Sequence, residues 1–290
     1  MERGILKEKI RETYGKVTLD ANSDCCSEEC CSPDTSPKQE LKEKIKERYS
    51  KIALSGNSDS CCMPECCSSD SSPKQSSVAI GYDDKLLETI PQSSILGLGC
   101  GAPLNFAKLQ EGETVVDLGS GAGIDAFLAS KQVKYSGKVI GIDFTDDMLE
   151  KARKVARENG FSNVEFRKGD VENKIPIQDN SANVAISNCV INLTTDKVKA
   201  FKEVYRILKK GGKGRMVISD LVTSKEVHGE SISAENWCSC IDGALTKENY
   251  INSIKKAGFQ DVKVLNEKLY MDDDKTGRKI TSVVIGAVTD

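Results

Sequence analysis

Twelve cysteines and a single histidine, His228, set the chemistry open to this chain of 290 residues. Eight of the twelve fall in two matched runs: CCSEECC holds Cys25, Cys26, Cys30 and Cys31, and CCMPECC holds Cys61, Cys62, Cys66 and Cys67. Paired thiols chelate soft ions, but runs this short cannot fold a site alone, so these eight are read as auxiliary ligands. Cys238 and Cys240 share the short stretch CSC, while Cys100 and Cys189 stand singly. With one histidine, a Cys/His zinc finger or a Ser–His catalytic pair is hard to build. The opening MERGILKEKIRE is charged and lacks the apolar core of a signal peptide. A cytoplasmic location is therefore expected. Thiols stay reduced there, so the cysteines read as a thiol or metal system rather than a disulfide framework.

The elements that must position the single thiols begin near residue 76. TVVDLG (114–119), GKVIGID (137–143), VEFRKGD (164–170), ANVAISN (182–188) and RMVISDL (215–221) read as strands. Helices alternate with them: TDDMLEKARKVARENG (145–160), with Thr145 as N-cap and Gly160 past its end, and KVKAFKEVYRILKKGG (197–212), ending at a glycine pair. The alternation predicts an α/β fold, a doubly wound and mainly parallel Rossmann-like sheet. A helix near 246–257 and two strands, 262–270 and 281–289, predict an antiparallel C-terminal edge. The long connection 222–244 leaves the carboxyl rim of the sheet and reads as a lid.

Ahead of this unit, residues 6–39 align with 41–75, so the N-terminal extension is a duplicated helix plus cysteine-rich tail. The domain reading is thus 1–39 and 40–75 as the two repeats, 76–221 as the cofactor-binding unit, and 222–290 as lid plus closing strands. Hydrophobic residues are 38% and charged residues 29% of the chain, ordinary values for a globular protein. A net charge of −3 gives no electrostatic reason to expect nucleic acid or an anionic membrane. No apolar run is long enough to cross a bilayer. A monomer is expected.

The loop DLGSGAG follows the first strand and opens a helix. Gly119, Gly121 and Gly123 let the backbone pass close under a ligand, in a G-x-G-x-G spacing that differs from the dinucleotide fingerprint. Asp117 precedes the loop, Asp143 ends the second strand and Asp170 follows the third. The set resembles the class I S-adenosylmethionine-dependent methyltransferases. That resemblance implies that Gly119, Ser120, Gly121 and Gly123 back the methionine part of the cofactor, with Asp117 beside them. It places Asp143 and Phe144 at the ribose, and Asp170 and Val171 at the adenine, with Asn188 facing the same cleft. Met148 stands where family members pack a side chain on the adenine, though a helix-core role explains it equally well.

Cys100 lies in a glycine-rich loop before the first strand, Cys189 directly follows the fourth strand, and Cys240 lies in the lid. Three soft thiolates without an imidazole or carboxylate partner suit a soft, thiophilic centre. Zinc in a structural site normally takes four ligands, whereas three sulfurs suit a pyramidal trivalent ion that keeps a lone pair. GLGCGAP, SNCVINL and CIDGAL, with DLGSGAG and GIDFTDDMLEKAR between them, resemble the arsenite methyltransferases over most of residues 78–260. The resemblance implies arsenic(III) bound and activated by Cys100, Cys189 and Cys240, with Cys238 as a substitute or redox partner. It also implies arsenite or arsenic–thiol conjugates as substrate, and glutathione or thioredoxin as the thiol reductant. Two alternatives stay open: a methyltransferase of another small molecule, and a thiol-rich soft-metal-binding protein.

Overall fold

The computed structural model describes residues 37–55, 72–227, 233–273 and 277–290. The helix expected in the first repeat, the eight tandem cysteines and His228 lie outside the described residues. Among the described residues no helix is long and apolar enough to cross a membrane.

Seven strands form one sheet: β1 (Thr114–Leu118), β2 (Lys138–Asp143), β3 (Val164–Lys168), β4 (Val184–Asn188), β5 (Arg215–Thr223), β6 (Gln260–Asp273) and β7 (Arg278–Val288). Their order is β3-β2-β1-β4-β5-β7-β6. The first five pair in parallel, and β7 runs antiparallel between β5 and β6. This is the expected doubly wound sheet with its antiparallel edge. The order reverses between β1 and β4, which opens a crevice at their carboxyl ends. The central strands are buried on both faces, Val115 to Leu118 of β1 and Val184 to Ser187 of β4 without a break.

The helices are α1 (Pro37–Ser55), α2 (Pro73–Ala79), α3 (Asp84–Leu87), α4 (Leu104–Ala107), α5 (Ile124–Val133), α6 (Asp146–Glu158), α7 (Lys197–Ile207), α8 (Ala234–Cys238) and α9 (Lys247–Lys256). In α6, Leu149, Ala152 and Ala156 face the core at helical spacing. Thr145 does occupy its N-cap, but the hydroxyl makes no capping bond. The expected helix 197–212 stops at Ile207 instead. Ser181 and Ala182 donate to the Ile207 carbonyl, and Leu208 forms a bridge with Ala182, so the sheet edge claims the backbone that the helix would need. Gly211 and Gly212 then turn the chain with positive φ.

Helix α1 belongs to the second repeat and docks on the domain. Leu41, Ile45 and Ile52 lie on one face, each 7% exposed or less. At about 1.5–3 kcal/mol per fully buried side chain, that face outweighs the intrinsic cost of holding a largely charged helix in place. Leu41 and Ile45 pack with Trp237 and Cys238, while Ile52 and Ala53 pack with Met148 and Leu96. One helix therefore touches both the α6 side and the α8 side of the molecule.

Candidate functional site

The turn after β1 is set by backbone geometry. Gly119 has φ +67, and a Cβ there would stand 2.2 Å from Val190 Cγ2. The Gly119 and Ser120 N–H groups both donate to the Ile142 carbonyl. Gly121 N–H donates to Asp143 Oδ2, and Thr145 N–H to Asp143 Oδ1. Asp143 thus ties the glycine loop to the start of α6. Beside this loop lies a cleft of about 900 Å³, open to solvent and lined by Asp117, Ser120, Asp143, Met148 and Cys189 among others. A second hollow of about 440 Å³, lined by Asp170, Val171 and Lys42, shares Gly119, Asp143, Phe144 and Val190 with it. The two form one groove over the β1–β4 crevice.

Three carboxyl groups converge on this groove. Burial pushes Asp117 well above the usual carboxylate range, and the nearby Asp125 and Asp143 push it further. Burial raises Asp125 to about 6, against the pull of Tyr82 and Asn188, and it raises Asp143 as well. The Tyr82 hydroxyl donates to Asp125 Oδ2 (2.8 Å) and accepts from Asn188 Nδ2 (2.9 Å). Among the described residues, Asp117 Oδ2, Asp125 Oδ1, Ser120 Oγ and Thr145 Oγ1 are buried with no hydrogen-bond partner. Orphan acceptors and crowded carboxylates ask for a cationic ligand rich in N–H and O–H donors. A sulfonium with an ammonium group and ribose hydroxyls has that chemistry, so these residues fit S-adenosylmethionine.

The residues assigned to the ribose and adenine line the groove, with one addition. Asp170 accepts from the Lys42 ammonium of α1, from Asn173 Nδ2 and from the Glu172 N–H. Lys42 also pairs with Glu172 at 3.2 Å. Burial alone would raise Glu172, but the Thr195 hydroxyl and Lys42 outweigh it and hold the carboxyl below its usual range. Met148 is 1% exposed; it lines the cleft and packs against α1 and Leu96.

The thiols gather at the far wall. Cys100, Cys189 and Cys240 share one buried apolar cluster with Leu221, Ile241, Ala244 and Ile280. Cys100 is placed by a loop pressed flat on the sheet. Its N–H donates to Asn188 Oδ1, its carbonyl accepts from Ser282 Oγ, and a Cβ on Gly101 would stand 2.2 Å from Ser219 Oγ. Cys189 and Cys240 both adopt left-handed backbone, φ 60 and 63. Cys189 N–H still donates to the Ser219 carbonyl, so the chain turns sharply at the last rung of β4. The neighbouring Cys100 and Cys240 thiols, with burial, push the Cys189 thiol well above its ordinary range. Cys240 Sγ lies 3.0 Å from the Cys189 carbonyl. Burial also raises Cys240.

Cys238 does not join this group. It packs with Leu41, Ile45 and Trp237 under α1. Asp220 does approach it, which corrects the expectation of thiols without a carboxylate partner: its oxygen and the sulfurs of Cys100 and Cys189 lie within 4.8 Å of one another. Asp220 takes bonds from Asn192 N–H, Leu221 N–H and Tyr250 OH, and burial raises it to about 6. The connection after β5 is anchored rather than loose at its second end. Arg278 pairs with Asp242 at 2.9 Å, and Asn192 donates to the Cys240 carbonyl.

Tyr82, Asp125, Tyr49 and Asp220 were not singled out from the sequence. Asp125 carried a usable signal, an acidic residue in the first turn after a glycine loop. So did Asp220, a carboxylate at the rim end of an apolar strand. Tyr82 and Tyr49 reach the groove from far along the chain, with no local mark.

The methyltransferase-domain family matches residues 109–258 of this chain, and the chain belongs to that family. The relatives it resembles narrow the comparison. The arsenite methyltransferase of Halobacterium salinarum is 41% identical over 189 residues, which cover 65% of this chain and 48% of that protein. The arsenite methyltransferase of Homo sapiens is 37% identical over 170 residues, 56% of this chain and 44% of that protein. The chain thus spans about half the length of these curated relatives. The crystal structure of an arsenic(III) S-adenosylmethionine methyltransferase from Chlamydomonas reinhardtii superposes with a TM-score of 0.58 at 29% identity, covering 74% of this chain and 73% of that one.

Proposed function

We propose that this chain is an arsenite methyltransferase, holding trivalent arsenic on Cys100, Cys189 and Cys240 and methylating it in arsenic detoxification. The observation that carries the reading is the meeting of three cysteines from distant segments at one wall of the cofactor groove, with Cys189 lining the groove itself. Arsenite condenses with three thiols, each thiol proton leaving on a hydroxide as water. The bound arsenic then has three sulfur bonds and a lone pair. When bound, S-adenosylmethionine supplies an electrophilic methyl group to that lone pair.

The chain's own contribution is placement and charge. The glycine turn brings backbone close to the ligand, and Asp117, Asp125 and Asp143 crowd carboxyl groups whose ionised form a bound cation would favour. The left-handed turns at Cys189 and Cys240 aim two sulfurs into a site made dry by Leu221 and Ile280. Holding two reactants in one geometry supplies much of the rate. The nucleophile carries no proton, so no general base is required. Methyl transfer takes arsenic formally from +3 to +5 and releases S-adenosylhomocysteine. Two cysteine thiols return it to +3 by giving up two electrons and joining as a disulfide, which glutathione or thioredoxin then reduces. The tandem cysteines act as capture arms that raise the local concentration of arsenic.

The test is incubation with S-adenosylmethionine, thiol and arsenite, followed by arsenic speciation over time. Methylated arsenic is expected from the parent protein, with a loss of at least 100-fold in Cys189→Ser. Unchanged methylation in that variant would overturn the assignment. Serine at all eight tandem cysteines, which leaves α1 in place, is expected to slow turnover only at low arsenite.

A further inference from the structure

The thiol cradle holds one donor more than trivalent arsenic uses. Cys100, Cys189 and Asp220 are all buried, with two sulfurs and a carboxylate oxygen within 4.8 Å of one another. Cys240 adjoins them: its thiol donates to the Cys189 backbone carbonyl at 3.0 Å, and it shares their buried cluster. Three sulfurs were too few for zinc, and Asp220 supplies the fourth donor.

Asp220 is held in place for the purpose. Its Oδ2 accepts from Asn192 N–H (3.0 Å) and from Tyr250 OH (2.9 Å), and its Oδ1 accepts only from Leu221 N–H (2.9 Å). A carboxylate offers about four lone-pair positions, so one remains on Oδ1. Donors bound to tetrahedral zinc, with Zn–S about 2.3 Å and Zn–O about 2.0–2.2 Å, stand roughly 3.5–4 Å apart. For Cys100, Cys189 and Asp220 the gap from the observed spacing is within reach of side-chain rotation, and Cys240 completes the set by turning its Sγ from the Cys189 carbonyl toward them. Three thiolates and a carboxylate would carry four negative charges, and the buried ammonium of Lys197 faces Asp220 and Cys240 to offset one of them.

We propose that Cys100, Cys189, Cys240 and Asp220 form a tetrahedral three-sulfur, one-oxygen site for a soft divalent cation of the zinc or cadmium type. Each coordinating thiol gives its proton to solvent, and Asp220 binds as the carboxylate. A filled-shell cation held by four donors has no lone pair to accept a methyl group. On the arsenic reading above, which this consequence rests on, such a cation is a dead-end occupant that competes with arsenite for the same sulfurs.

The test uses the full chain with all eight tandem cysteines replaced by serine, so that metal counts report this cradle. Zinc X-ray absorption is expected to show one ion per chain with three sulfurs and one light-atom neighbour. Cobalt(II) is expected to give tetrahedral d–d bands, and Asp220→Asn to weaken cobalt binding at least tenfold. The zinc spectrum needs no variant, so it stands if Asp220→Asn fails to fold. A four-sulfur shell, which would recruit Cys238, overturns the proposal, as does cobalt affinity unchanged in folded Asp220→Asn. Arsenite is expected to displace cobalt. If it does not, while the three-sulfur, one-oxygen shell is found, the cation site stands and the arsenic reading falls.

Discussion

The two walls of the groove are assembled in different ways. The cofactor wall comes mainly from two adjoining stretches, Asp117–Asp125 and Asp143–Met148, on paired strands. The thiol wall collects Cys100, Cys189 and Cys240 from separate loops, the last two 51 positions apart. On the first wall, positive φ falls on glycine; on the second, it falls on two of the three cysteines, Cys189 and Cys240. A non-glycine residue in left-handed backbone costs about 1–3 kcal/mol. The acceptor side therefore holds its ligands against their backbone preference, whereas the cofactor side uses residues suited to the turn.

The largest effect is expected where the walls join. Gly119→Ala puts a Cβ against Val190, the neighbour of Cys189, at a positive φ. A loss of about 3 kcal/mol in stability, seen by denaturant unfolding, should accompany weakened binding of both cofactor and arsenite. If only one affinity falls, the walls are less linked than this contact implies. Gly101→Ala separates them. Its Cβ meets Ser219 Oγ beside Cys100, so arsenite affinity should drop about tenfold, about 1.4 kcal/mol, while cofactor affinity measured by calorimetry stays within twofold.

Asp125→Asn tests what the carboxylate crowd costs. Its folded pKa of about 6 lies above the ordinary 3.8. The folded state then binds more protons, so the stability from Asp125 is complete below pH 4 and is lost as pH rises through 6. Unfolding at pH 7 should show the variant more stable by about 1–3 kcal/mol, with no gain at pH 4 and with weaker cofactor binding. The smallest effect is expected at Cys238→Ser, which should keep methylation within threefold while Cys240→Ser abolishes it. A comparable loss in both would bring Cys238 into the ligand set.

The cofactor wall was legible because its signals are local: a glycine loop follows an apolar strand, and an aspartate ends the next one. The thiol wall was legible only through the elements: Cys100, Cys189 and Cys240 are far apart in the chain, and their places at the carboxyl rim of the expected sheet brought them together, while the resemblance supplied their role. Asp220 escaped notice because it sits inside the run RMVISDL, and only the β4–β5 register carries it beside Cys189. The early end of α7 was hidden for a related reason. Its last residues are apolar and helical by pattern, yet a bridge to Ala182, distant in sequence, outcompetes the final turn.

Helix α1 is fastened differently at its two contacts. Toward the adenine end, the ammonium groups of Lys42 and Lys46 hold it to Asp170, Glu172 and Asp146. Toward α8, Tyr49 OH and the Arg48 guanidinium reach backbone carbonyls of Cys238 and Glu235. Ionic strength screens exposed charge pairs far more than apolar contacts or bonds to carbonyls. Added salt should thus loosen the side of the helix that carries Lys42 and Lys46 and spare the side that carries Leu41, Ile45 and Tyr49, so that the helix rolls toward α8. Stopped-flow exchange of the spent cofactor should quicken with salt, while the arsenic off-rate stays level.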